Sequence, residues 1–219
     1  MRKLNFTILL FLCVSVMSQA QNFQGYYGYG NDQAVNMITL EIYKPLDHGV
    51  FYYMNDFKMD KNGYFESYTE VSKCWNIGKR GLAGTVQYNA GIYCNDTTSF
   101  RIDPVYLGGL QTSQEFGGWM LSLDILFRYE ELTKSSGIQG TFIFVKEWKD
   151  FTFSGYCDIW NSGLYDPDED PTIIMFEPQI FYSISRRFSI GIEGRVSNYT
   201  LARPYEDYIM LGLKWDLEN

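Results

Sequence analysis

The sequence predicts an all-β protein, a transmembrane antiparallel β-barrel of about twelve strands. Three observations lead there. The first twenty residues read as a secretory signal peptide. The rest alternates apolar and polar residues with period 2 and carries almost no helix signal. The connections between alternating runs sort by length, the longest falling at one end.

The leader is Met1-Arg2-Lys3, an apolar run from Phe6 to Met17, then Ser18-Gln19-Ala20 before Gln21. Residues 1–20 are therefore expected to be removed, and residues 21–219 to form a single barrel domain. No apolar run in the mature part approaches the ~18 residues a spanning helix needs. Mean hydropathy is −0.21, which argues against a helical bundle but not a barrel, because alternating faces cancel. Tyr (18) and Phe (16) together dominate the aromatic set, which suits strands and water–lipid boundaries.

Without Arg2 and Lys3 the basic residues fall from 18 to 16 against 26 acidic ones, a net charge of −10. Such a surface does not suit nucleic acid. The mature cysteines are Cys74, Cys94 and Cys157, an odd number with no zinc-ligand spacing.

Strands are expected over 22–30, 35–44, 49–58, 63–74, 81–92, 103–111, 117–130, 138–148, 151–160, 172–183, 187–198 and 206–215. Spanning strands of ~10 residues with turns use up the mature chain. Alternation is clearest in 119–129, where Trp119, Leu121, Leu123, Ile125, Phe127 and Tyr129 oppose Ser122, Asp124 and Arg128. It recurs in 188–197, where Phe188, Ile190, Ile192 and Val196 oppose Ser189, Glu193, Arg195 and Ser197. Ile38, Leu40 and Ile42 oppose Thr39 and Glu41; Leu82, Val86 and Tyr88 oppose Thr85, Gln87 and Asn89. In 22–30, 49–58 and 103–111 both faces are mixed.

A soluble sandwich also alternates. Two features favour the barrel. The apolar faces carry large rings near strand ends (Trp119, Tyr129, Tyr88, Tyr182, Phe188), as interfacial girdles do. Connections 93–102, 161–171 and 199–205 are the longest and share one end, although 75–80 and 112–116 at the other end are not tight turns.

Glu70-Val71-Ser72, Val86-Gln87-Tyr88-Asn89-Ala90-Gly91, Phe151-Thr152-Phe153-Ser154-Gly155, Phe176-Glu177-Pro178-Gln179 and Gly212-Leu213-Lys214-Trp215 resemble a Bacteroidetes outer-membrane family of unknown function, DUF5020, similar to the Tsx-like nucleoside-specific channels. The likeness runs across nearly the whole mature chain. It implies a twelve-stranded barrel in the bacterial outer membrane and a role in passing nucleosides. Many such barrels end on an aromatic residue, whereas here Trp215 is followed by Asp216-Leu217-Glu218-Asn219.

If the apolar faces meet lipid, Glu41, Glu66, Glu70, Gln87, Asn89, Asp124, Arg128, Asp158, Glu177, Gln179, Glu193 and Arg195 point into the lumen. Rings of one sign set ion preference, and this set disfavours anions. The same residues could instead form a salt-bridged plug. Tyr64, Tyr68, Tyr156 and Trp160 alternate with the carboxylates and offer stacking faces for a sugar or base. Tyr68 with Glu70, and Tyr156 with Asp158, are the candidate ligand track; a lumen packed by rings or an interface belt is the simpler explanation of them.

No enzyme is expected. His48 is the single histidine, in the turn Lys44–Gly49, with no nucleophile motif beside it. Acids alternate in Asp166–Pro171 and Glu177 stands twelfth, but Pro171 occupies the sixth position, where a calcium loop needs Gly. No metal or cofactor is expected. The expected partners are outer-membrane lipid and a small polar solute such as a nucleoside, with the protein a monomer. The expected function is an outer-membrane channel. A closed structural or surface-interaction barrel, and an exported soluble β-sheet binding protein, stand as alternatives.

Overall fold

The computed structural model describes residues 22–30, 33–60, 65–78, 81–161, 172–198 and 206–217. Segment 1–20, read from the sequence as a signal peptide, Tyr64 and the acidic stretch 166–171 lie outside these residues.

Twelve strands follow in chain order: β1 (Asn22–Gly30), β2 (Gln33–Leu46), β3 (Gly49–Asp60), β4 (Phe65–Asn76), β5 (Leu82–Cys94), β6 (Ser99–Phe116), β7 (Trp119–Glu130), β8 (Ser136–Trp148), β9 (Phe151–Asn161), β10 (Thr172–Ser183), β11 (Phe188–Ser197) and β12 (Glu206–Asp216). Each pairs antiparallel with its neighbour in sequence, and β1 closes on β12 from Asn22↔Asp216 to Gly30↔Tyr208. Closure leaves no sheet edge, so backbone donors and acceptors are satisfied within the wall. β1 starts and β12 ends at what is termed here the lower end; the β1–β2 connection lies at the upper end.

Alternation decides the two faces. The outer face carries Ile125 and Phe127 of β7, Ile190 and Ile192 of β11, and Ile209, Leu211 and Leu213 of β12, all exposed. Rings bound this apolar band. Tyr88, Tyr106 and Tyr129 share one register row toward the upper end, with Tyr88 and Tyr106 centroids 5.2 Å apart. Toward the lower end Trp148, Phe151 and Tyr182 form another row, and Phe188 stacks on Trp215 at 5.8 Å. Large exposed apolar area bounded by two aromatic rows matches a lipid-facing surface.

Two connections differ from the sequence expectation. The stretch 93–102 is not a long loop: β5 runs to Cys94 and β6 starts at Ser99, around an Asn95–Thr98 turn. There the Asn95 side-chain oxygen accepts from the Thr97 and Thr98 amides at 3.0 and 2.7 Å. This Asx turn replaces backbone loop length with a side-chain cap. Residues 112–116 are strand, and the chain reverses at Gly117-Gly118, with φ of 59° and 75°. Two successive positive φ values make a tight hairpin turn that glycine adopts without a Cβ clash. The lower-end connections Asp47-His48, Gly117-Gly118 and Lys149-Asp150 are therefore all two residues long.

Inside, the wall packs closely at Gly109 of β6. A Cβ there would meet the Ile125 carbonyl oxygen at 2.1 Å. Gly109→Ala is expected to cost about 1–3 kcal/mol, the usual range for overpacking. Urea unfolding in lipid vesicles measures this, and an unchanged midpoint would contradict the close approach.

Candidate functional site

The register places fourteen of the residues singled out for the lumen on the inner wall. Glu41 is on β2; Glu66, Tyr68 and Glu70 on β4; Gln87 and Asn89 on β5; Asp124 and Arg128 on β7. Tyr156 and Asp158 are on β9, Glu177 and Gln179 on β10, Glu193 and Arg195 on β11. Several inner residues were missed, three of them charged and buried. Asp56 and Lys58 alternate on β3, and Glu130 follows Arg128 by two on β7. The two-residue spacing was a usable signal in both cases.

One side of the lumen is dry. Tyr26, Met37, Phe181, Tyr208 and Met210, from β1, β2, β10 and β12, form a buried cluster. Tyr26 and Phe181 meet edge to face at 6.3 Å, and the Gln179 amide donates to the Tyr26 hydroxyl at 3.3 Å. Lys58 reaches from β3 over the Tyr208 ring at 5.8 Å. A second buried apolar cluster, Val105, Leu107 and Leu126, lies inside on β6 and β7, while Tyr68, Glu70, Gln87, Thr141, Tyr156 and Asp158 on β4, β5, β8 and β9 stay partly solvent-reachable. At the lower end a recess of about 440 Å³ is lined by Ser113, Glu115, Met120, Val145 and Glu147.

The inner charges are layered. Lys58, Arg128 and Arg195 each lie nearer the upper end than the carboxylates Asp56, Asp124 and Glu193 of their own strands. Each cation has an acidic partner. Lys58 pairs with Glu66 at 3.5 Å and Arg128 with Glu130 at 3.0 Å; Arg195 pairs with Glu177. Arg128 also donates to Gln139 at 2.7 Å and lies over Trp160 at 5.0 Å, and Arg195 lies over Tyr208 at 5.2 Å.

Neutral donors serve most of the remaining carboxylates. Asn22 and Gln24 donate to Glu41 at 2.7 and 3.1 Å, Thr39 to Asp56 at 2.6 Å, and Thr141 to Asp158 at 2.5 Å. Gln111 donates to Asp124 at 3.2 Å and Gln179 to Glu193 at 2.7 Å. These bonds orient the carboxylates without cancelling their charge. The surplus on the inner wall is therefore negative.

The Arg195–Glu177 pair is buried on both sides, at 10% and 7% exposure. Arg195→Ala leaves Glu177 without its countercharge, and breaking a buried pair in this way costs ~3 kcal/mol. Denaturation of the refolded variant tests this; wild-type stability would mean that solvent already screens the pair.

His48 lies exposed in the turn between β2 and β3, away from the inner wall. Cys74, Cys94 and Cys157 are free thiols on β4, β5 and β9. Glu177, the twelfth position of the calcium-like spacing, faces inward on β10. Among the described residues no group of three or more His, Cys, Asp or Glu side chains has metal-holding geometry.

A family profile described as a domain of unknown function, DUF5020, matches residues 20–217. The chain belongs to the DUF5020 family. No curated protein matches it. Among solved structures, the DUF5020 chain is similar to a NanC porin, with 10% identity and a TM-score of 0.59 over 89% of this chain and 100% of that one. It is similar to a KdgM porin at 10% identity and a TM-score of 0.52, over 90% and 99% of the two chains. It also resembles LpxR from Salmonella typhimurium at 7% identity and a TM-score of 0.50, over 90% and 100%. At such identities the likeness concerns the fold: the DUF5020 chain is a closed twelve-stranded antiparallel barrel of the kind found in outer-membrane porins.

Proposed function

We propose that this DUF5020 protein is an outer-membrane channel for small polar solutes that prefers cations and neutral molecules to anions. The observation that carries this reading is the solvent-reachable inner wall, where carboxylates outnumber the cations and every described mid-barrel cation is already paired. A surplus of one charge sign along a pore sets ion preference. The apolar outer band with its two aromatic rows supports insertion in lipid as a monomer. The porin fold of two structural neighbours supports passage, while LpxR, a third, is an enzyme.

Nucleosides are the narrower reading of the solute. Tyr68 and Tyr156 support it, since a base stacks on aromatic faces for ~1–3 kcal/mol while neighbouring carboxylates accept from sugar hydroxyls. The Tsx-like relationship implied by the sequence resemblance points the same way. The test is conductance of refolded protein in a planar bilayer, with uridine and adenosine added as blockers. Conductance that falls with nucleoside supports both levels of the reading. Conductance indifferent to nucleoside removes the narrower one. No conductance from folded protein favours the second reading, a closed structural barrel, to which the Tyr26–Phe181 cluster and its neighbours would contribute the plug.

A further inference from the structure

On the outer face, Lys44 of β2 and Lys73 of β4 flank Phe51 of β3 in one lateral row: Lys44 pairs with Phe51, and Phe51 with Lys73. Two strand spacings of about 4.8 Å therefore separate the lysine backbones. Both lie near the lower end, two residues before the close of β2 and three before the close of β4. Both side chains are exposed, and neither has an acidic partner among the described residues. The other described lysines of this end are engaged. Lys146 donates to the Gly117 carbonyl at 3.3 Å and lies over Trp119 at 5.2 Å. Lys149 lies over Trp148 at 5.0 Å, and Lys214 pairs with Asp216 at 3.9 Å. Trp75 follows Lys73 by two on the same face of β4, and its indole packs against Gly84 of β5, where a Cβ would meet the ring at 2.9 Å. A tryptophan in this position marks the level where hydrocarbon gives way to headgroups. Lys73 therefore starts on the hydrocarbon side of that level, with Ile42, Tyr53 and Val71 forming the next outward row.

From this arrangement we propose that Lys44 and Lys73 form a clamp for the headgroup phosphate of an anionic phospholipid, with Phe51 against its glycerol and first acyl carbons. The proposal rests on the lipid-facing reading of the outer band and not on transport. A lysine set in an apolar band keeps its charge by running its stem along the wall to the headgroup level. Two ammoniums that reach that level on either side of Phe51, with no carboxylate to neutralise them, leave a local double positive charge. A headgroup of net negative charge supplies the countercharge. A choline headgroup instead brings its own cation against the two lysines. A free phosphate ion would gain nothing from Phe51 or from the apolar row above it. The two-residue turns lie at the lower end, as at the periplasmic end of such barrels, which sets the clamp at a phospholipid leaflet.

The test uses the full chain refolded in nonionic detergent, with heat-modifiable gel mobility confirming a folded barrel in every variant. Native mass spectrometry counts the lipid retained from an equimolar mixture of dioleoylphosphatidylglycerol and dioleoylphosphatidylcholine. Each lysine is expected to favour the anionic lipid by about fivefold, so the wild type should retain phosphatidylglycerol over phosphatidylcholine by about tenfold or more. Lys44→Gln combined with Lys73→Gln is expected to bring that ratio down to about twofold or less. Lys146→Gln combined with Lys149→Gln removes the same charge from the same end and should leave the ratio within about twofold of wild type. Should the double clamp variant fail to fold, Lys44→Gln and Lys73→Gln singly are each expected to lower the ratio by about fivefold. Equal retention of the two lipids by the wild type, an unchanged ratio in the clamp variants, or an equal fall in the Lys146 and Lys149 variant would overturn the clamp. Insertion into vesicles separates the clamp from the reading it rests on. A barrel that inserts into phosphatidylcholine vesicles but shows no preference for phosphatidylglycerol loses the clamp and keeps the lipid-facing band. Failure to insert into vesicles of either lipid removes both.

Discussion

Replacing both Glu70 and Asp158 with lysine is expected to turn a cation-preferring pore into an anion-preferring one. The two carboxylates take inward positions on β4 and β9 and both are partly solvent-reachable, so an ion crossing the lumen passes the walls they occupy. Their reversal changes the local charge by four units while leaving the paired cations Lys58, Arg128 and Arg195 in place. At ~4 Å a unit charge is worth about 1–4 kcal/mol between bulk water and a protein surface, so even one reversal outweighs thermal energy. The reversal potential in a salt gradient should change sign in the double variant and move partway with Glu70→Lys alone. An unchanged reversal potential in a folded, conducting double variant would show that the ion path bypasses these residues.

The second large effect belongs to the outer face. Leu211 is 67% exposed and Ile125 54%, each near the middle of its strand and on the apolar side. On a soluble protein, arginine at such positions changes stability by no more than ~0.5 kcal/mol. At the middle of a bilayer it costs about 2–4 kcal/mol, falling toward the interfaces. Leu211→Arg and Ile125→Arg are therefore each expected to lose about 2–4 kcal/mol in vesicle-based unfolding. Arginine at Trp148, in the lower aromatic row, should cost less. Equal, negligible losses at all three positions would mean that the band does not face lipid.

Much of the architecture was legible because lipid and water impose opposite demands on adjacent residues. In β7 only inward Leu126 interrupts that opposition between Leu121 and Tyr129, so the strand discloses its faces directly. The strands that read as mixed have particular reasons. On β6, a register shift against β5 between Asn89 and Gly91 inserts an extra residue near Asp103-Pro104, and this resets the alternation. On β3, Asn55 faces outward yet is only 4% exposed, because its amide donates to Thr69 Oγ1 at 2.6 Å and to the Tyr68 carbonyl at 2.9 Å. On β1, Tyr26 turns inward against Phe181 while Tyr27 turns outward, so neighbouring identical residues serve opposite solvents.

The candidate site was legible as a face but not as an arrangement. Period 2 places Glu70 and Asp158 inside, but the level each takes in the lumen depends on closure of β1 with β12 and on the register of every strand between. The pairing of Arg195 with Glu177 follows from the β10–β11 register for the same reason. Lys58 escaped notice because Phe57 and Met59 flank it and β3 carries aromatics on both faces. The turn at Asn95–Thr98 escaped because an asparagine side chain can close a reversal that composition alone reads as a longer loop.

The most direct single measurement is the reversal potential of the refolded wild-type protein in a planar bilayer under a KCl gradient. A negative surplus on the inner wall predicts open conductance with a potential of the sign that marks potassium over chloride. Chloride preference, or no conductance from protein with the heat-modifiable mobility of a folded barrel, would contradict it.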